Sequence, residues 1–158
     1  MAVPTGNVTF LLTDIEGSTR NWETSESDMR AALIRHDELL AQHIREHGGA
    51  VLTERGEGDS FFAVFPVASG AVAARLAIQL AIGSEPWPER TPIKVRAALH
   101  TGEAGQDHRG PDVNRCARLR ALAHGGQVLI SATTAALVRG GLPDVPRCRT
   151  SASIGCAT

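Results

Sequence analysis

Tyrosine is absent from this chain, and aromatic residues make up only 4% of it. Proteins that hold single-stranded nucleic acid stack the bases on aromatic side chains, so that class of partner finds no platform here. An excess of one charge is missing too. The 16 basic and 17 acidic residues leave a net charge of −1, which offers no long-range attraction to nucleic acid or an anionic membrane. Cysteine is scarce: Cys116, Cys148 and Cys156 are odd in number and scattered. Neither a disulfide framework nor a metal-ligand spacing follows from them. No apolar run approaches the ~20 residues of a membrane-spanning helix, and the N-terminus has no signal-peptide pattern. These absences fit a cytoplasmic compartment. With no internal repeat or low-complexity linker, 158 residues suit one domain around one core.

Against that plain background, residues 8–19 stand out. Val8 to Leu12 is an apolar stretch with the length of a buried strand, followed at once by Asp14 and a tight Gly17-Ser18-Thr19 turn into a helix. A carboxylate at a strand end, beside free backbone N–H groups, can hold a magnesium-bound polyphosphate. The N–H groups take phosphate oxygens and the carboxylate takes the metal. A strand and a helix capped by Ser18 or Thr19 would give the same pattern. A second carboxylate alters the weighing. Asp59 lies between a glycine-rich turn and the apolar run Phe61 to Phe65, which predicts a hairpin of 50–54 and 60–65 with Asp59 near its tip. Two carboxylates on neighbouring strands can share two metal ions for an in-line displacement at phosphorus. An ordinary turn aspartate is the simpler alternative.

Periodicity supplies the rest. Helical spacing covers 27–47, with Leu33, Leu40 and Ile44 on one side and Gly48-Gly49 as its stop. The alanine-rich stretch 68–82 places Val72, Leu76 and Leu80 at i+4 steps. The prolines of 85–92 mark a loop. Strands are expected at 93–100 and 127–131, and helices at 112–123 and 132–138. The pattern predicts an α+β fold, with helices packed on one face of a mostly antiparallel sheet. Asn114 and Arg118, four residues apart, share a helix face. They could grip a ribose and a phosphoryl group, or they could belong to a solvated face where Arg115 and Arg120 also crowd. His36, His43 and His47 also fall on one helix side, which reads as solvated because no further ligand completes a metal set.

Several segments in this order and spacing resemble the class III nucleotide cyclase catalytic domain: 9–23, Gly58-Asp59, Leu99 to Glu103, Gly110 to Leu119 and His124 to Ser131. The resemblance is strongest to the bacterial branch whose first motif reads Thr-Asp-Ile-Glu-Gly-Ser-Thr. It implies a ferredoxin-like βαββαβ core sheet with additions, and a cyclase homology domain over 1–144. Two divalent cations, Mg2+ or Mn2+, would be held by Asp14, Asp59 and the main chain of Ile15. The Glu16, Gly17, Ser18 and Thr19 segment would cradle the outer phosphates. Asn114 would orient the ribose, and Arg118 would stabilise charge on the α-phosphate. Asp107 and Arg55 fall where adenine is read. The family's adenylyl cyclases commonly carry Lys where Arg55 stands, and the two are not equivalent donors. ATP is therefore expected over GTP, with weak activity or relaxed specificity as the alternative. The resemblance also implies a head-to-tail homodimer with shared active sites, and an inactive monomer.

The end departs from the family. Residues 145–158 form an aberrant tail, low in periodic hydrophobicity, where a further strand with basic residues is expected. A shifted reading frame with freely chosen third bases returns a family-like ending, so a frameshifted or truncated end stands beside a genuinely divergent one. Such an end would favour a non-catalytic regulatory module. A diguanylate cyclase is a poorer match, because its Gly-Gly-acidic-acidic-Phe hairpin is missing.

Overall fold

At the centre lies β1 (Gly6–Ile15), buried at every position from Val8 to Thr13, in a computed structural model that describes residues 2–52 and 58–140. A strand apolar on both faces belongs inside a sheet with layers above and below it. β1 pairs antiparallel with β3 (Phe61–Phe65) on one side and with β4 (Val95–Ala104) on the other. The short β2 (Ala50–Val51) adds beyond β3, and β5 (Val128–Ile130) runs parallel to β4. The order is β2-β3-β1-β4-β5.

Between β1 and β2 the chain forms α1 (Ser18–Thr24) and α2 (Glu26–Glu46); α3 (Ala68–Ser84) joins β3 to β4. This is the expected βαββαβ core. α4 (Pro111–Ala121) and α5 (Ala132–Val138) flank β5 as additions. The predicted hairpin is present as β2 and β3, although its 53–57 portion, including Arg55, lies outside the described residues. So does the tail, 145–158.

Alternation along β1 divides the core. Leu11 and Ile15 face α2 and α3, against Met29, Leu40, Ile44, Ala74 and Ile78. Val8, Phe10 and Leu12 face the other way, with Phe62, Val64, Val113 and Cys116. Thus α2 and α3 share a face as expected, while α4 covers part of the opposite one. α2 stops where Gly48 turns left-handed at φ 82°, and the Gly49 N–H donates to the Ile44 carbonyl. A Cβ on Gly49 would stand 2.5 Å from the Phe65 ring, so helix and strand meet only because that carbon is absent.

One helix-face expectation is corrected. His36 is not solvated: it is fully buried, edge-on to the Phe61 ring at 5.8 Å, with its Nδ1 on Asp37. A pattern of histidines at helical spacing does not reveal which of them turns inward; the neighbouring Met29, Leu40 and Ile44 do.

Cys116 is enclosed between α4 and the sheet, and burial pushes its thiol up to about 12. The thiolate is the reactive form. Cys116 is therefore expected to resist alkylation at pH 8 in the folded protein and to react promptly in denaturant, as read by mass spectrometry of its peptide.

Candidate active site

Asp14 and Arg96 stand directly opposite each other on β1 and β4. Both point to the α4 side of the sheet, where β1 ends and the apolar layer gives out. The guanidinium grips the carboxylate with two nitrogens, Nε on Oδ1 and Nη2 on Oδ2, the latter at 2.9 Å. Planar fork on planar carboxylate is the strong geometry for such a pair. A second guanidinium arrives from α4: Arg120 Nη1 donates to the Thr13 carbonyl at 3.3 Å. Its Nε lies 3.7 Å from Asp14 Oδ2, buried and without a hydrogen bond among the described residues.

Asp59 meets the same strand end. Its Oδ2 accepts the Ile15 N–H at 3.0 Å. The register that pairs Thr13 with Phe61 carries Asp59 to this position. The Asp14 carboxylate, helped by Glu16 and Asp59, holds the Arg96 guanidinium above its ordinary range. Two carboxylates, Asp14 and Asp59, and two guanidiniums, Arg96 and Arg120, thus gather where β1 turns into α1.

The turn itself is open. Gly17 adopts φ 69° and precedes α1, whose first turn receives no side-chain cap. Neither Ser18 nor Thr19 acts as the cap; the first-turn N–H groups, which have no acceptor within a helix, are left free of side chains. Glu16 is exposed and leans the other way, onto Gly125, where a Cβ would lie 2.3 Å from its Oε2.

The remaining expected residues lie elsewhere in the chain. Asp107 is exposed, and its Oδ1 accepts the Arg109 N–H in a loop beyond the far end of β4. At ~3.3 Å per residue, the eight strand steps from Arg96 to Ala104 span roughly 26 Å. Asn114 and Arg118 are exposed on the outer side of α4. A single chain therefore unites Asp14, Ile15 and Asp59 with the open turn, leaves Asp107 beyond the far end of β4, and turns Asn114 and Arg118 outward from α4.

Two functional candidates, Arg96 and Arg120, carry little signal in the sequence. Arg96 stands out only as a charge ahead of the apolar run Ala97 to Leu99. Arg120 was visible only as one of several arginines on α4.

Residues 1–147 match the family described as the adenylate and guanylate cyclase catalytic domain. The chain belongs to that family. This cyclase domain is 46% identical over 143 residues to the uncharacterized protein Rv0891c of Mycobacterium tuberculosis (strain H37Rv), covering 89% of this chain and 48% of that protein. It is 31% identical to the adenylate cyclase of Lachancea kluyveri over 83% of its own length and 8% of that enzyme's. The chain thus spans about half the length, or less, of these relatives. Among solved structures, the adenylate/guanylate cyclase/hydrolase from Silicibacter pomeroyi superposes with TM-score 0.75 at 25% identity, covering 90% of this chain and 85% of that one. The guanylate cyclase domain of RhGC from Catenaria anguillulae, solved with GTP, gives 0.74 at 25% identity, over 86% and 84%.

Among the described residues no three His, Cys, Asp or Glu side chains gather as a metal-ligand group. The donor set at the strand end is nevertheless of the right chemistry for a hard divalent cation. Two carboxylates come to one main-chain segment, and a guanidinium already supplies positive charge to one of them. In the Arg96→Met variant those carboxylates would lose their nearest cation. Its unfolding midpoint is expected to fall about 3–12 °C at low salt, taking ~1.5–3 kcal/mol for the charged hydrogen bonds. Added salt should recover part of that loss by screening the repulsion; a drop independent of salt would point to packing alone.

Proposed function

We propose that the chain is the catalytic domain of a nucleotide cyclase, converting a nucleoside triphosphate, ATP in preference to GTP, to the cyclic nucleotide and pyrophosphate. One observation carries this reading: Asp59 accepts the N–H of the residue that follows Asp14, which brings the two carboxylates to one strand end beside an uncapped helical turn. Asp14, Asp59 and the Ile15 main chain would hold Mg2+ or Mn2+. Such ions lower the pKa of an attacking hydroxyl and neutralise leaving phosphates.

The chain's own groups divide the remaining work. The N–H groups of the Glu16-to-Thr19 turn bind the outer phosphate oxygens. Arg96, at the same strand end, would offer its planar fork to those phosphates wherever Asp14 releases it. Asn114 orients the ribose so that its 3′-oxygen faces the α-phosphorus. Arg118 stabilises the charge that grows on that phosphoryl group as the bond to pyrophosphate breaks. Asp107, with Arg55, reads the base.

These two sets of groups lie apart within one chain, which supports a head-to-tail homodimer in which each site combines the carboxylates of one subunit with the α4 groups of the other. Two-fold pairing then builds two sites at once. The adenylate cyclase name of the Lachancea kluyveri relative supports adenine over guanine. A second reading, a weak or inactive cyclase-like module binding nucleotide or a partner subunit, draws on a specific feature. Both Asp14 oxygens are engaged by Arg96 within the chain, and metal binding must displace that guanidinium.

Purified protein with Mn2+ and ATP or GTP is expected to form cyclic product, more from ATP. Asp14→Ala and Asp59→Asn should each lower kcat at least about a hundredfold, the several kcal/mol that metal charge supplies. Cyclic product undiminished in Asp14→Ala would overturn the metal role.

Mixing inactive Asp14→Ala with inactive Arg118→Ala should restore about a quarter of wild-type activity. Random pairing makes half the dimers mixed, each with one intact site. No recovery on mixing would reject the shared-site dimer.

A further inference from the structure

We infer that His100 is a positioning residue: as the Nε2–H tautomer it ends a one-way chain of hydrogen bonds that docks α4, and with it Asn114 and Arg118, onto the sheet. The importance of those two side chains rests on the cyclase reading; the chain of bonds does not.

The cradle comes first. Asp112, in the first turn of α4, lays its carboxylate on β4. Oδ2 accepts the Glu103 N–H at 2.9 Å, and Oδ1 lies 3.2 Å from His100 Nε2. Between them a Cβ on Gly102 would stand 2.3 Å from the Asp112 carboxyl carbon, so only glycine leaves room. Arg115 Nη1 adds a contact to Oδ1 at 3.2 Å from the helix itself. The Glu103 N–H, with His100 and Arg115, holds the Asp112 carboxyl below the usual carboxylate range. Asp112 is therefore ionised at neutral pH and can only accept.

That fixes every proton behind it. Since Asp112 cannot donate, the tautomer that pairs with it carries the hydrogen on Nε2 and accepts at Nδ1. The donor to Nδ1 is Ser131 Oγ at 2.8 Å. Ser131 Oγ in turn accepts from Thr134 Oγ1 at 3.2 Å, while capping α5 through the Thr134 N–H. Thr134 Oγ1 accepts from Thr101 Oγ1 at 2.9 Å, and Thr101 from Thr9 at 2.8 Å. His100, Thr101, Thr9 and Thr134 are each at most 5% exposed, so water cannot substitute for the partners. Thr9 and Thr101 face α3 and α5, whereas His100 faces α4. The chain crosses from one side of the sheet to the other at the end of β5.

An uncompensated buried polar group is costly, so a chain in which each hydroxyl both donates and accepts has one preferred polarity. Asp112→Asn reverses it. The Glu103 N–H demands the amide oxygen, which turns the amide N–H toward Nε2. His100 must then accept there and carry its proton on Nδ1, donating to Ser131.

Two-bond nitrogen–proton NMR on protein labelled at histidine reads this directly, with the His100 signal assigned by its loss in His100→Gln. The expected result is Nε2–H in the wild type and Nδ1–H in Asp112→Asn. A wild-type proton on Nδ1, or no change in the variant, overturns the inference. For positioning, Ser131→Ala should speed hydrogen exchange at the amides of 114–118 at least tenfold and leave α2 unchanged. It should also lower kcat tenfold or more, with KM for the nucleotide within twofold. Equal acceleration in α2 and α4, or an unchanged kcat in an active protein, would reduce the chain to general stability and reject the role. Should the wild type yield no cyclic product, the cyclase reading falls, while tautomer and exchange still decide this inference.

Discussion

The antiparallel pairing of β1 with β4, from Gly6 opposite Ala104 to Ile15 opposite Val95, sets Asp14 against Arg96 at the heart of the candidate site. A slip of one residue would turn each side chain to the other face of the sheet. Such a slip is resisted on both sides at once. Leu11 and Ile15 are committed to α2 and α3, and Val8, Phe10 and Leu12 to the layer beneath α4. With the register locked, Asp14 faces Arg96 across the strand gap. The neighbouring register with β3 brings Asp59 to Ile15. The polar site is thus a consequence of apolar alternation that contains none of its residues.

This accounts for what could be read from the sequence and what could not. The elements were legible because alternation, helical spacing and glycine stops are local. α2 begins within a residue of its expected start, and α5 agrees with its expected span. Asp14 and Asp59 were legible because each sits where an apolar run meets a turn. Arg96 was not, since its meaning depends on which residue lies across the strand gap, and register is a property of two segments. The same holds for Arg120, whose direction toward Asp14 depends on how α4 is rotated. The burial of His36 was missed because one helix face can be polar at one end and enclosed at the other.

The ion pair at Asp14 sets a condition on the proposed metal role. Were Asp14 to hold a divalent cation, the Arg96 guanidinium that now grips both of its oxygens would have to give way. A nucleotide would ease this exchange, because its phosphates offer Arg96 a new anionic partner at the moment Asp14 is taken. Metal and triphosphate would then bind more tightly together than either does alone, by linkage through one side chain.

α4 shows how exposed residues can still be held in place. At its start, Asp112 is set into β4 by His100, the Glu103 N–H and the space left by Gly102. At its end, Arg120 reaches the Thr13 carbonyl. Val113 and Cys116 pack against the sheet between these two points. Positions 113, 116 and 120 recur at i+3 and i+4 steps and claim one helix face. Asn114 and Arg118 are left exposed, with no side-chain hydrogen bond or ion pair among the described residues. A helix fixed at both ends and along its inner face cannot rotate, so its outer side chains keep their bearing without touching anything in their own chain. The proposed shared site would need that arrangement, with Asn114 and Arg118 exposed and their origin fixed by their own fold.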